Sequence, residues 1–394
     1  MKRNISVIIN ILILLSTLFL IGFVFYLGIL KFENDGRGYT KGIIIFFCLA
    51  GLLLSTFLVP LVHEMGHLIF GLLSKMAFYS MRILFFIVYR EGKKIKLRVA
   101  KNSAEYSGSC EMVPKSSEKL YSKFMFMVIG GSFFTLIYLV FLIYIVVNAS
   151  ASGLNLYSFL GCGLPFAFYL FTINILPLSS VGEKTDGGVI LGLLKKDRFA
   201  MATINLLAIQ SHYFLGETPA EVEEGLYFNV PQLPDNDVTF AILLNYRYIY
   251  YLDKGDQENL LKISERMNEV CDGLDDKMRM NIRSDILYNY CRFIKDDEKA
   301  EKLYKEVRKY LMLENTCTNL RIRAAYSFYI EKNNLEARQF VNRGLDEAKR
   351  SIIKGIGIFE TRLLNELKTE ILAKIEKEES KSKQDNLNVT RIFK

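Results

Sequence analysis

Two of the chain's three histidines lie four residues apart near the end of a long apolar run, with a glutamate directly after the first. They are His63, Glu64 and His67 in the sequence VHEMGHLIFG. Residues at i and i+4 share one face of a helix, so two imidazoles placed in this way can bind one zinc ion. A glutamate beside the first histidine can then take a proton from a water at the metal. The spacing therefore predicts a Zn²⁺ site with hydrolytic chemistry.

The alternative is a pair of buried histidines in a seam between helices, satisfied by hydrogen bonds. The apolar setting weighs against it, because three ionisable groups inside a membrane segment are costly without an ion or a water-filled cavity. We therefore favour one bound zinc ion.

A catalytic zinc ion needs a third protein ligand and leaves its fourth position to water. His212 is one candidate, but it lies well into the second half of the chain. Asp186, followed by Gly187 and Gly188, is favoured because small residues let the backbone approach a metal site or a neighbouring helix closely. Taken alone, the sequence TDGG is more typical of an ordinary turn.

Four apolar runs are long enough to cross a bilayer, which takes about 20 helical residues. The chain after residue 195 holds no such run and is rich in Lys, Glu, Asp, Arg and Tyr. This change predicts an all-α multi-pass membrane protein followed by a soluble α-helical domain. The predicted spans are 5–30, 42–73, 124–147 and 156–178.

Basic residues predict the orientation of these spans, because loops rich in lysine and arginine stay in the cytoplasm. The loop 74–123 and the segment after the fourth span are rich in both, whereas 148–155 carries no charge and 31–41 carries both signs. We expect a multi-pass cell-membrane protein with cytoplasmic N- and C-termini. Lys75 is the first charge after the motif, which places His67 about 12 Å from the cytoplasmic end of its helix.

Further along the chain, N-x-x-P is followed by D-G-G, and this order resembles the site-2 protease family of intramembrane zinc metalloproteases. The resemblance covers residues 42–194 and implies that two histidines and the aspartate bind zinc. It also implies that the glutamate is the general base and that the asparagine helps to hold the substrate. The sequence IGGSFF at 129–134 is similar to a Gly-rich helix start in the family. The residues that carry the resemblance are His63, Glu64, His67, Asn174, Pro177, Asp186, Gly187 and Gly188.

One spacing departs from the family pattern. Asn174 and Asp186 are 12 positions apart, several more than the family's usual gap, and SSVGEK accounts for the insertion. The departure bears on substrate binding by Asn174 more than on Asp186, because no other Asp-Gly pair occurs in this region.

Residues 81–99 predict a short membrane-associated β-hairpin. Ile95, Leu97 and Val99 alternate with basic residues, and REGK supplies the turn. Because a protease needs an extended substrate, an exposed strand edge would bind an unwound substrate by strand addition. The alternative is an amphipathic hairpin lying on the headgroups. The family resemblance, which implies a β-structured loop at this place, favours strand addition.

The second half repeats a helix-turn-helix pattern that starts at Tyr251, Phe293 and Tyr329. The pattern resembles degenerate tetratricopeptide repeats and would form an α-solenoid whose concave face binds a peptide or protein partner. A generic helical bundle is the alternative. We predict a transmembrane metalloprotease domain at 1–198, a cytoplasmic helical domain at 199–375 and a disordered tail at 376–394.

Charge and cysteine content limit the partners. The net charge is +8, and basic residues cluster at the edges of apolar runs, which suits contact with the anionic headgroups of a lipid bilayer. The second half mixes both signs without zinc-finger spacing or a Gly-aromatic motif, so we expect no nucleic-acid binding. Six cysteines without a CxxC pair predict reduced thiols.

These features predict an intramembrane zinc metalloprotease that cleaves a membrane-embedded or membrane-adjacent peptide or regulator. Two other functions stay open. A membrane-anchored protease of soluble peptides would take its third ligand from Glu221, Glu223 or Glu224. A membrane-anchored scaffold with helical repeats and a non-catalytic metal site would have no use for Glu64.

Overall fold

The structure of the protein is a computed structural model. It describes residues 2–33, 36–92, 94–100, 108–177, 179–180, 183–313 and 315–392. The chain is mostly helical, with a small antiparallel sheet between the second and third helices. Its contacts divide it into two units, the first formed by Met1–Arg90 with Ile95–Ile204, the second by Glu91–Lys94 with Asn205–Lys394.

The first unit is built from apolar helices. Four stretches are long and apolar enough to cross a membrane, as the sequence predicted: Val7–Phe32, Lys41–Leu73, Leu120–Val147 and Gly153–Ile175. The fourth is not one straight helix, because a 3₁₀ turn at Gly161–Gly163 separates its two parts. The helices are α1 Lys2–Phe32, α2 Lys41–Leu73, α3 Leu120–Val147, α4 Ala149–Phe159, α5 Leu164–Ile175 and α6 Asp186–Lys195.

Two of the buried clusters that pack the apolar helices of the first unit lie between α1, α2, α3, α4 and α5. The first includes Val24, Ile44 and Tyr157, and the Tyr157 hydroxyl donates to the Val24 carbonyl at 2.6 Å, which ties α4 to α1. The second includes Val59 on α2 and Leu142 on α3. Because a buried hydroxyl in an apolar interior needs a partner, the Tyr157 bond also fixes how these two helices pack.

A four-stranded sheet follows α2 directly. Its strands are β1 Met76–Ile83, β2 Phe86–Glu91, β3 Lys94–Val99 and β4 Ser109–Pro114, in the order β3-β2-β1-β4. β1 pairs antiparallel with β2 and with β4, and the register against β4 shifts between Phe78 and Ser80. β3 and β4 are therefore the two edges of this sheet.

The prediction of a hairpin at 81–99 is confirmed for its second strand and wrong for its first. β2 and β3 are neighbours around a turn at Gly92, whose φ is 58°. The predicted first arm is divided, because Leu84 has a positive φ of 53° and ends β1 before β2 begins. The apolar run MRILFFIVY contains no Gly, Pro or Asn, so nothing in the sequence marked this turn.

From Asn205 onward, the second unit contains only helices among its described elements. α7 (Arg198–Leu215) contains the boundary between the units, and Asp237, Asp256 and Asp275 cap the starts of α9, α10 and α11 with side-chain oxygens. The others are α8 Glu224–Phe228, α9 Val238–Lys254, α10 Gln257–Cys271, α11 Asp276–Asn289, α12 Asp297–Leu313, α13 Cys317–Tyr329, α14 Asn334–Lys349 and α15 Lys354–Ile392.

Each predicted repeat begins at the end of one helix and continues into the next. Tyr251 lies in the last turn of α9, Tyr329 ends α13, and Phe293 lies in a π-helical turn at Tyr290–Ile294 that follows α11. The pairs α9–α10, α11–α12 and α13–α14 all pack together. Their likeness to tetratricopeptide repeats stays a prediction. The backbone of α15 is helical to Ile392, whereas disorder was predicted for 376–394. Lys, Glu and Gln favour helix formation even without burial.

A buried polar cluster, which the sequence did not indicate, lies inside the second unit. Arg321 of α13 is 1% exposed and donates to both carboxylate oxygens of Glu360 of α15, at 2.7 and 3.2 Å. Its guanidinium also lies 4.2 Å from the ring centroid of Tyr288. Nearby, burial raises the pKa of Asp285 to about 7, partly offset by Arg321. Asn245 donates to the Asp285 carboxylate at 2.7 Å.

Candidate metal centre

α2 carries all three residues of the histidine motif on its buried side. His63, Glu64 and His67 are 5, 5 and 8% exposed. Burying three ionisable side chains costs free energy unless they compensate one another or bind an ion. The two imidazole planes are nearly perpendicular, with centroids 4.8 Å apart. Six residues after His67 the helix ends, and Lys75, with φ of 60°, turns the chain into β1.

The start of α6 brings Asp186 to this pair. Thr185 caps the helix, and its Oγ1 accepts the N–H of Gly188 at 3.3 Å. Gly187 lets α6 approach the end of α5, because a Cβ at this position would lie 2.1 Å from the Ile175 carbonyl oxygen. At the first position of a helix, a carboxylate is also stabilised by the helix dipole. The glycine after Asp186 is therefore required for the position of the aspartate.

Three ligand atoms from these two helices converge on one point. His63 Nε2 and His67 Nε2 are 3.2 Å apart, and Asp186 Oδ2 lies 3.3 and 3.4 Å from them. In a tetrahedral zinc site with ligands at about 2.0–2.1 Å, neighbouring ligand atoms lie about 3.3 Å apart. The observed triangle therefore has the dimensions of three vertices of a zinc tetrahedron, and the fourth vertex is left for another ligand.

The hydrogen bonds behind the two imidazoles determine which nitrogen of each ring is free. His67 Nδ1 contacts the Met127 carbonyl oxygen at 3.0 Å, so it is the protonated nitrogen. His63 Nδ1 contacts Thr135 Oγ1 at 2.9 Å, and this hydroxyl donates to the Gly131 carbonyl, so it accepts from the imidazole. In the neutral rings both Nε2 lone pairs then point toward one carboxylate oxygen. Three acceptors without a proton between them favour a cation at their centre.

Glycines on α2 and α3 allow the close crossing that this arrangement needs. A Cβ on Gly66 would lie 2.3 Å from the Gly130 carbonyl oxygen, and a Cβ on Gly130 would lie 2.4 Å from that of Gly66. One residue further on, Gly131 faces the group of potential ligands, because a Cβ there would lie 2.3 Å from His67 Nε2. Small residues at such crossings are typical of closely packed membrane helices.

α3 also supplies the polar groups that orient the candidate ligands, and sequence reasoning missed most of them. Ser132 donates to Oδ2 of Asp186 at 3.3 Å, while Thr135 and the Met127 carbonyl hold the imidazoles. Such supporting hydrogen bonds fix ligand orientation and tune metal affinity. A signal was present, since Ser132 and Thr135 are hydroxyl side chains in an otherwise apolar stretch of α3 that follows the glycine pair.

Glu64 lies beside the group without being part of it. Among the described residues, its Oε2 is buried and has no hydrogen-bond partner. A Cβ on Gly108, the residue before β4, would lie 2.8 Å from its Oε1, so only a glycine fits against this carboxylate without a shift. A buried carboxylate with an unpaired oxygen next to a potential metal site is suited to accepting a proton from a water molecule bound there.

The other predicted site residues lie in different surroundings. Asn174 is on the last turn of α5 and donates to the Leu170 carbonyl of its own helix at 3.0 Å, and its contact with a substrate stays a prediction. His212 pairs with Glu217 at 2.9 Å, so Asp186 and not His212 completes the group of potential ligands in the described chain. Pro177 follows α5 and is exposed.

The alternative carboxylates after α7 have local structural roles. Glu221 accepts the N–H of Thr218 at 2.7 Å, and Glu224 accepts the Tyr250 hydroxyl at 3.1 Å. Glu223 directly precedes α8.

Comparison of the chain with family models, curated proteins and solved structures finds no match. The interpretation of the site therefore rests on its geometry and on the sequence motifs.

Proposed function

We propose that the protein is an intramembrane zinc metalloprotease of the site-2 protease type. The observation that carries the proposal is the convergence of His63, His67 and Asp186, with Glu64 beside them, on a long apolar helix. If the two imidazoles had only a structural role, each Nε2 would have a hydrogen-bond donor or acceptor of its own. The hydrogen bonds behind them instead direct both free nitrogens at the same carboxylate oxygen.

The residues of the site have separate tasks in this reaction. His63, His67 and Asp186 would hold the ion, and a bound Zn²⁺ supplies polarisation of the scissile carbonyl and a lowered pKa for water. Glu64 accepts the water proton and returns it to the leaving amine. The burial of Glu64 keeps bulk water away, which strengthens its interactions with the reacting groups.

The membrane placement follows from the apolar helices and the basic loops. His67 lies six residues before the end of α2, about 9 Å along the helix axis. The peptide bond would be cut inside the bilayer thickness, near the side where Lys184, Lys195 and Lys196 follow the fourth span. The positive-inside rule makes that side cytoplasmic and puts both termini there.

An extended substrate would bind along β4. This strand is an edge of the sheet, and it begins next to Gly108, which lies against Glu64. A substrate strand paired with β4 would therefore carry its backbone past the carboxylate, and its main-chain groups would be satisfied by the sheet. β3, the other edge, exposes Ile95, Leu97 and Val99, which suits contact with lipid. We propose that the second unit recruits a protein or peptide partner.

Metal content tests the ligand assignment. Purified wild-type protein should contain one zinc ion per chain, and Asp186→Ala should lose it, because two histidines alone form an incomplete site. His212→Ala is the matched control, since it removes the remaining histidine of the chain and should leave zinc in place. Full zinc content in Asp186→Ala would assign the third ligand to another residue.

The substrate pool of living cells tests the protease reaction. Membrane peptides are compared by mass spectrometry in cells with wild-type protein, cells with Glu64→Gln and a deletion strain. At least one intact membrane peptide should accumulate equally in the last two. A scaffold makes the opposite prediction, namely that Glu64→Gln cells match wild type while the deletion strain does not.

A further inference from the structure

An apolar cavity opens beside the candidate metal centre and is not occupied by any described part of the chain. Its volume is about 460 Å³, and its walls come from α3, α5 and α6. Leu136, Phe171, Ile190 and Leu194 are among the lining side chains, and Ser132 is the one hydroxyl among those lining residues. The cavity lies entirely within the first unit.

The cavity borders the group of potential ligands through two of its lining residues. Ser132, which lines it, donates to Oδ2 of Asp186 at 3.3 Å. Gly187, which also lines it, is the residue directly after Asp186. A peptide whose carbonyl oxygen reached the point between the three ligand atoms would therefore have the cavity within the length of one side chain.

The size and the lining of the cavity limit what it can receive. Pockets of about 300–1,000 Å³ hold small organic molecules, so there is room for one large side chain. A carboxylate or ammonium group would be costly to bury there, because the lining offers a single hydroxyl to compensate it. Phe133, Leu136 and Leu194 at the cavity are 45, 41 and 64% exposed. These values leave the cavity open at the surface of the helices.

We propose that this cavity is the specificity pocket for a large apolar substrate side chain next to the cleaved bond. The protease would then prefer Leu- or Phe-like residues there over Ala or a charged residue. This inference rests on the proposed function, because it assumes that a peptide bond reaches the metal centre. The hydrogen bond from the lining residue Ser132 to Asp186 favours a peptide over a lipid acyl chain, which needs no position beside a potential metal ligand.

Binding of three hydroxamates tests the pocket without relying on turnover. The probes share a zinc-binding group and differ in the neighbouring side chain, which is methyl, isobutyl or benzyl. Their affinities are measured on the zinc-loaded full-length protein by calorimetry. Each buried methylene contributes about fourfold in affinity, so isobutyl should bind roughly 10- to 60-fold more tightly than methyl.

Variants of the cavity wall then locate the preference. Leu136→Trp should fill the cavity and reduce the isobutyl-to-methyl ratio to about one. Leu194→Trp should fill the cavity from α6 in the same way. It is the second variant, to be used if Leu136→Trp misfolds. The control is Val140→Trp, because Val140 is also on α3 and is 58% exposed but does not line the cavity. It should keep the wild-type ratio.

The outcomes separate this inference from the proposed function. Equal affinity of the three probes for wild-type protein, or a preference that survives both Leu136→Trp and Leu194→Trp, would overturn the pocket. If a lipid acyl chain remains bound in the cavity while all three probes bind with equal affinity, the cavity is a lipid site and not a pocket for a substrate side chain. If no probe binds in a zinc-dependent way, the metalloprotease proposal itself fails.

Discussion

We expect Gly131→Ala, a change of one methyl group, to weaken zinc binding at the proposed centre. The new Cβ would lie 2.3 Å from His67 Nε2, whereas ordinary contacts begin at 3.4 Å. The imidazole would have to shift by about 1 Å, but functional metal sites keep their ligand distances within about 0.2 Å. The same Cβ would lie 2.9 Å from His63 Cε1, so the methyl group would overlap both imidazoles.

We expect zinc affinity to fall at least 100-fold in Gly131→Ala, which corresponds to about 2.7 kcal/mol or more. The assay is competition for zinc between the detergent-solubilised protein and a chromophoric chelator. Gly22→Ala is the matched control, because a Cβ on Gly22 of α1 would meet nothing within 4 Å. Circular dichroism and gel filtration establish that both variants retain their helical fold.

One result would refute this reasoning. If Gly131→Ala binds zinc as tightly as wild type and Gly22→Ala, then His67 does not need its observed position to bind the metal. The triangle of His63, His67 and Asp186 would then not be the zinc site.

Two further predictions concern the second unit and the orientation of the chain. The folded-state pKa of Asp285, raised to about 7 by burial, lies above its unfolded value of about 3.9. Folding stability from this group is therefore complete below pH 4 and declines as the pH rises to about 7, by about 2–4 kcal/mol in all. Asp285→Asn should flatten that decline in thermal unfolding scans of the whole protein between pH 4.5 and 8, and an unchanged profile would assign the decline to another titratable group. A reporter fused after residue 200 should behave as cytoplasmic, whereas alkaline phosphatase activity there would reverse the topology.

Most residues of the candidate centre were predictable from the sequence, because their types occur at short spacing. His63 and His67 are one helical turn apart on any α-helix, with Glu64 directly after His63, and an apolar run of this length predicts that helix. Asp186 is distant in sequence, and only the D-G-G motif and the family resemblance pointed to it. The structure adds the reason, since Gly187 allows α6 to meet the end of α5.

The supporting interactions were not predictable, because they depend on which faces of two helices meet. Thr135 and the Met127 carbonyl reach the imidazoles only because Gly66 and Gly130 let α2 and α3 cross closely. The turn at Leu84 was hidden for a different reason. A left-handed conformation at a leucine inside an apolar run leaves no local signal, because neither this residue nor its neighbours favour a positive φ.

The most direct test of the account is to purify Glu64→Gln from its native membrane and identify what binds to it. Gln keeps the shape of the side chain but cannot accept a proton at neutral pH, so zinc should stay bound while the rate falls by about 10²–10⁴-fold. We expect that an intact membrane peptide co-purifies with Glu64→Gln and that zinc-loaded wild-type protein cuts it at one bond beside a large apolar residue. If wild-type protein leaves every co-purifying peptide intact, or cuts it equally well after zinc removal, the protease account is wrong.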